Sequence, residues 1–233
     1  MKGIVFTEFL DLIEIKFGLE MVDKVISQSK LQSKGSYTSI GTYSFSEMLQ
    51  LLQNLELQTG ISKDNLLLTY GEYFFNVIKT NYLDLLSSFN DPIEMLASIE
   101  NHIHVEVKKI YNDAELPTFL IEEKTENTLI MIYKSSRSMH HFGLGLMNKT
   151  FEHFNSKATI ILEKIKDDGT EVKFIIKKLN ESNNFMINPR GGLIGSGHPL
   201  GATGISQTIE IIQQLQKTAE NRQTDNPKTG LVH

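Results

Sequence analysis

Two stretches of the chain gather side chains that could do chemistry together. In Tyr133-Lys-Ser135-Ser-Arg137, two hydroxyls and a guanidinium occupy alternate positions. Alternate residues of an extended chain project to one side, and Arg offers carboxylate a planar fork beside which hydroxyls add neutral donors. The trio therefore suits a dianionic ligand. The second stretch is Ile99-Glu-Asn-His102-Ile-His104-Val-Glu-Val-Lys-Lys-Ile110-Tyr111, followed by Leu116-Pro117. Imidazole is a common metal ligand. Two residues two apart on a helix point about 200° from each other, so at most one of these histidines reaches a given metal. Leu96, Ile99, Ile103, Val107 and Ile110 form one stripe with the histidines on its opposite flanks. Burial alone does not choose between them, although His104 shares its side with Ala97 and Tyr111, whereas His102 sits with the more polar Ser98, Glu106 and Lys109.

These groups need elements to hold them. Gly3 to Phe17, Ser46 to Gln58 and Ser62 to Asn81 carry apolar residues at helical spacing. Ser62 stands at a capping position, and Asp91-Pro92 is a strong helix start, which predicts one helix from there to about Tyr111. After Pro117 the pattern changes. Thr118 to Glu123 and Thr128 to Tyr133 read as strands around a turn at Lys124 to Asn127, and a helix is expected over Met139 to Phe154. Ala158 to Lys166 and Glu171 to Lys178 flank Asp167-Asp168-Gly169, a hairpin signal because such turns need positive φ. The fold class is α+β: a helical N-terminal half, then an antiparallel sheet with packed helices. The expected organisation is a domain over 1–180, a polar linker at 181–187 and a glycine-dense segment at 188–233 with an amphipathic helix from Ile205 to Ala219.

Composition narrows the chemistry. The 233 residues are 40% hydrophobic, enough for a real core, and no cysteine is present, which excludes disulfides, thiolate-bound metals and cysteine nucleophiles. A net charge of −5 with scattered Lys and Arg argues against nucleic acid. No apolar run approaches the roughly 20 residues of a bilayer span and no leader pattern is seen, so a cytoplasmic location is expected.

Residues 1–178 resemble the H-NOX (haem NO-binding) domain family. The resemblance rests on the opening Met-Lys-Gly-Ile, on the His-Ile-His104-Val-Glu-Val helix leading through Tyr111 to Leu-Pro117, and on Tyr133-x-Ser135-x-Arg137. It implies a non-covalent haem b buried between the helical half and the sheet. It selects His104 as the iron ligand, seven residues before Tyr111. Tyr133, Ser135 and Arg137 take the positions that hold the haem propionates, and Pro117 takes that of a proline pressed against the macrocycle. Phe9, Phe74 and Phe142 stand where oxygen-binding relatives place polar distal residues; Leu146 is counted with them as a cofactor contact. Tyr73, His140 and His141 lie nearby in sequence. The implied function is a sensor of NO, with CO a second ligand, that is not itself an enzyme and signals to a separate histidine kinase or cyclic-nucleotide signalling enzyme.

Asn188-Pro-Arg-Gly-Gly through Gly-His198-Pro to Gly204 resembles the thiolase C-terminal signature. That family's chemistry needs cysteine nucleophiles, so the tail is expected to be a fragment without an independent fold. A thiolase-related acyltransferase fragment and a haem-free interaction scaffold are the alternative functions.

Overall fold

In a computed structural model the described residues are 1–82, 86–179, 188–191, 197–199, 202–224, 227 and 229–232. The chain forms two compact units, Met1–Glu181 and Ser182–His233.

The first unit opens with four helices: α1 (Ile4–Phe17), α2 (Leu19–Ser27), α3 (Phe45–Thr59) and α4 (Lys63–Asn81). The Ser44 and Ser62 side chains accept from the amides of Ser46 and Asn65, as helix-capping hydroxyls do. α2 has no counterpart in the sequence reading, since Val22 and Val25 are its buried residues and two positions make no period. Phe6, Phe9, Ile13, Leu51, Leu52, Leu67 and Tyr70 are among the residues that fill the core of this half.

The helix expected to run unbroken from Asp91 to Tyr111 is divided. Asp91 caps α5 (Pro92–Ala97) by accepting from the amides of Ile93 and Glu94. A π-helical turn, Ile99–Ile103, follows, and α6 (His104–Ile110) begins at the histidine itself. The Ser98 carbonyl accepts from His102 N at 2.8 Å and from Ile103 N at 3.3 Å, the second bond spanning five residues. That wide turn rotates everything after it relative to a plain α-helix. The projected apolar stripe fails accordingly: Leu96 is buried, whereas Ile110 is 53% exposed.

The sheet is antiparallel in the order β1-β2-β4-β3, with β1 (Thr118–Lys124), β2 (Thr128–Lys134), β3 (Lys157–Lys164) and β4 (Glu171–Leu179). β2 and β4 bury alternate residues, Leu129, Met131 and Tyr133 against Val172, Phe174 and Ile176. Gly169 turns the second hairpin at φ 75°, and Asp168 Oδ1 accepts from Thr170 N and Oγ1. α7 (His140–His153) adds Met147 and Phe151 to this core.

α4 and α7 meet at backbone distance. A Cβ on Gly71 would lie 2.1 Å from the Phe142 carbonyl oxygen, and one on Gly145 would lie 2.2 Å from that of Leu68. No side chain fits between the helices there.

The second unit holds α8 (Thr203–Leu215) and a 3₁₀ turn at Glu220–Arg222. Glu210 pairs with Arg222 at 3.3 Å and accepts from Gln214, while Ile205, Ile209, Ile212 and Leu215 of α8 are exposed. The expected linker, 181–187, lies outside the described residues.

The crossing yields a direct expectation. Gly145→Ala drives a methyl into backbone that cannot rotate away, so chemical unfolding should show a loss of about 1–3 kcal/mol. Unchanged stability would mean that the helices part freely.

Candidate functional site

His104 is the first residue of α6 and its side chain is 14% exposed. Its Nδ1 lies 3.2 Å from Glu100 Oε1, one turn earlier. The same oxygen accepts from Phe119 N at 2.7 Å, and the Phe119 ring centroid is 6.1 Å from that of the imidazole. Burial lowers the His104 pKa and outweighs the opposing pull of Glu100, so the ring is neutral. A neutral imidazole whose Nδ1 carries the proton, the nitrogen nearer the carboxylate here, keeps its lone pair on Nε2. His102 faces elsewhere, edge-on to Phe89 at 5.5 Å.

Tyr133, Ser135 and Arg137 do not lie along one extended strand. β2 ends at Lys134 and the chain turns, with Ser138 N bonding to the Ser135 carbonyl and Ser138 itself at φ 49°. Arg137 N donates to Ser135 Oγ at 3.2 Å. The Tyr133 hydroxyl accepts from Met139 N at 3.0 Å, and burial pushes its pKa up. The Arg137 guanidinium donates to the Glu115 carbonyl at 2.6 Å, pairs with the Glu115 carboxylate, and stands 6.0 Å above the Phe45 ring. Pro117 is half-buried directly before β1.

Phe9, Phe74 and Phe142 gather around a residue the sequence reading missed. Tyr70 is fully buried, with ring centroids 5.1 Å from Phe9, 5.7 Å from Phe74 and 5.0 Å from Phe142. Its hydroxyl donates to the Val5 carbonyl at 2.6 Å, and Tyr73 OH is directed to Glu8 at 3.3 Å. Neither hydroxyl is spare. Leu146 does not join this cluster; it packs with Phe75, Leu86, Met95 and Ile103. His140 is buried against Gly169, with no well-formed hydrogen bond on either ring nitrogen among the described residues. His141 Nδ1 lies 3.2 Å from Asp64 Oδ1, out of line for a hydrogen bond.

Among the described residues no group of three or more His, Cys, Asp or Glu could hold a bare metal ion. One imidazole, an aromatic cluster and an Arg with two hydroxyls instead suit a metal that brings its own macrocycle, apolar over its faces and anionic at one edge. The family model for haem-NO-binding domains matches residues 2–162. The chain belongs to the haem-NO-binding family. Its H-NOX fold is shared with the Fe(II) unliganded H-NOX protein from K. algicida, 75% identical, covering 80% of this chain and 100% of that one at a TM-score of 0.77. The H-NOX from Shewanella woodyi, solved bound to IWP-051 in the Fe(II)CO state, is 32% identical, covering 80% of this chain and 99% of that one at a TM-score of 0.67. H-NOX domains are haem-based gas sensors rather than enzymes, and the α+β architecture read from the sequence is theirs.

A model for thiolase C-terminal domain-like segments matches residues 165–233. Sterol carrier protein 2 of Homo sapiens is 51% identical over 49 residues, 21% of this chain and 9% of that one. The chain thus spans about a tenth of the length of the curated relatives it matches. No helix among the described residues is long and apolar enough to cross a membrane.

Burial lowers the pKa of His104, and likewise of His140, His141 and His153. A depressed folded-state value means that the unfolded chain takes up the extra protons, so this stability is present above the ordinary histidine value near 6.5 and is lost as pH falls below it. Urea unfolding should accordingly give a lower free energy at about pH 5.5 than at about pH 8. His140→Leu should flatten that slope, and a wild-type profile level across the interval would contradict it.

Proposed function

We propose that this protein binds haem b at His104 and senses NO, excluding O₂ by withholding a hydrogen-bond donor. The observation that carries the reading is the largely buried imidazole of His104, whose Nδ1 lies 3.2 Å from Glu100 Oε1 and whose Nε2 has no hydrogen-bond partner among the described residues. Haem supplies the iron at which the gas is taken up. Tyr133, Ser135 and Arg137 would hold its propionates, Arg137 by charge and the hydroxyls as neutral donors. Phe9, Phe74, Phe142 and Leu146 would line the slot, and Pro117 would press on the macrocycle. His104 is the mechanical link, because it opens α6 directly after the π-turn. Any displacement of its ring is handed to that helix, which a partner protein can read. A separate histidine kinase or cyclic-nucleotide signalling enzyme in the cytoplasm would fit this role.

Discrimination between gases follows from the distal wall. O₂ as a ligand gains from a nearby donor, while NO and CO depend on one far less. Phe9, Phe74 and Phe142 are hydrocarbon, and the Tyr70 hydroxyl is committed to Val5. CO would be accepted as a second ligand.

The tail is proposed to be a separate unit, residues 188–233 after a linker at 181–187, without catalysis of its own. Thiolase chemistry lacks its nucleophile here, since the chain has no cysteine.

The absorption spectrum tests the haem site. His104→Gly should lose most haem and regain part of it with added imidazole, whereas His102→Ala should keep the Soret band, as should a chain ending at residue 181. Bleaching by His102→Ala alone would put the ligand at the other histidine, and a colourless wild type would favour a haem-free scaffold.

For selectivity, the ferrous protein in air should give no oxygenated spectrum yet bind NO. Phe142→Tyr should gain measurable O₂ affinity, by roughly tenfold for one good hydrogen bond. A stable oxygenated spectrum in the unaltered protein would overturn NO selectivity and leave the haem site standing.

A further inference from the structure

A single carboxylate oxygen ties the candidate axial imidazole to the sheet. Glu100 Oε1 lies 3.2 Å from His104 Nδ1 and accepts from Phe119 N at 2.7 Å. Phe119 is the second residue of β1, and its ring stands between the imidazole and Tyr133, 6.1 Å from one and 5.5 Å from the other. The π-turn makes this convergence possible, since Glu100 lies inside it and His104 directly after it. The Glu100 side chain is 35% exposed and lines a surface cavity of about 350 Å³ with Ala97, Ile99, Asn101 and Leu120.

We infer that Glu100 is a positioning residue for the axial ligand: its carboxylate fixes the His104 tautomer and ring angle, makes the imidazole a stronger donor to iron, and ties it to β1. The inference rests on the haem reading above. A carboxylate behind a metal-bound imidazole holds the Nδ1 proton in a charge-assisted hydrogen bond and raises the basicity of the other nitrogen. A more basic ligand stabilises the oxidised iron and is harder to displace. With haem bound at His104, Glu100 would lower its potential and would strengthen the hold of the imidazole on the iron.

Glu100→Gln separates charge from shape, because the amide oxygen can still accept from Phe119 N. In the ferrous protein the iron–histidine stretching band should move to lower frequency, the midpoint potential should rise, and haem affinity should fall by roughly tenfold. Without haem, ¹⁵N NMR of the His104 ring should show a weaker preference for the Nδ1–H tautomer. Glu100→Asp, which keeps the charge on a shorter arm, should stay nearer the wild-type potential than Glu100→Gln; it also serves as the readout if the amide variant fails to fold. A Glu100→Gln protein with the wild-type stretch, potential and tautomer would overturn the inference and reduce Glu100 to an anchor for β1. Equal potential shifts in both variants would also overturn it, because charge would then not be the cause. Failure of the haem reading is separately visible, as a wild-type protein without any iron–histidine band.

Discussion

The close crossing of α4 and α7 is the constraint from which the rest of the site follows. α4 contributes Leu66, Leu67 and Tyr70 to the helical core, and α7 contributes Met147 and Phe151 to the sheet core. Two cores built in sequence order would ordinarily be separated by a layer of side chains. At Gly71 and Gly145 that layer is absent, and a Cβ on either would fall within about 2 Å of opposing backbone oxygen. Phe74 and Phe142, one turn or less from these glycines, are thereby brought to a ring separation of 5.5 Å. The aromatic wall is a consequence of backbone proximity, and aromatic pairing then adds favourable contacts of its own.

On the opposite side the same economy of space is achieved with polarity. An imidazole that is largely buried and neutral needs one acceptor for its N–H, and a β-strand that starts beside a helix leaves an amide in search of one. Glu100 Oε1 accepts from the Phe119 amide and lies 3.2 Å from His104 Nδ1. The strand start, the helix start and the Tyr133 turn are joined through Phe119, whose ring contacts both His104 and Tyr133. The N-terminus closes the frame, because Lys2 pairs with Asp113 at 2.9 Å just beyond the end of α6 while bridging Thr42. The helix that carries His104 is thus restrained at both ends, by the π-turn and by this ion pair.

What was legible in the sequence was local. The Ser62 cap, the Asp91-Pro92 start and the Gly169 hairpin each have a short-range physical cause, and each element begins or turns where that cause acts. The β2 and β4 alternation was readable for the same reason, since a strand buried on one face repeats every two residues. The π-turn was not readable, because a hydrogen bond lengthened by one residue at Ser98 leaves the composition of a helix unchanged. Tyr70 was invisible as a site residue because its hydroxyl is satisfied by Val5, 65 positions away. Glu100 has no local signal of its contact, because its partner Phe119 lies 19 positions on, in β1. For Tyr133, Ser135 and Arg137 the expected strand alternation fails, because β2 ends at Lys134 and the chain turns at Ser135 to Ser138.

The boundary between the two parts of the chain can be argued from hydrogen bonding. Similarity to thiolase C-terminal segments begins at residue 165, and similarity to the haem-NO-binding family ends at residue 162. β4, at Glu171–Leu179, nevertheless pairs with β2 on one side and β3 on the other, and Val172, Phe174 and Ile176 are fully buried in the sheet core. A central strand cannot be surrendered without exposing two ladders of backbone groups. The first unit must therefore include β4, in keeping with its limit at Glu181, and the thiolase-like character proper starts beyond it. There α8 leaves Ile205, Ile209, Ile212 and Leu215 exposed while Glu210 and Gln214 are buried. That distribution is the inverse of an ordinary amphipathic helix, which turns its apolar face inward.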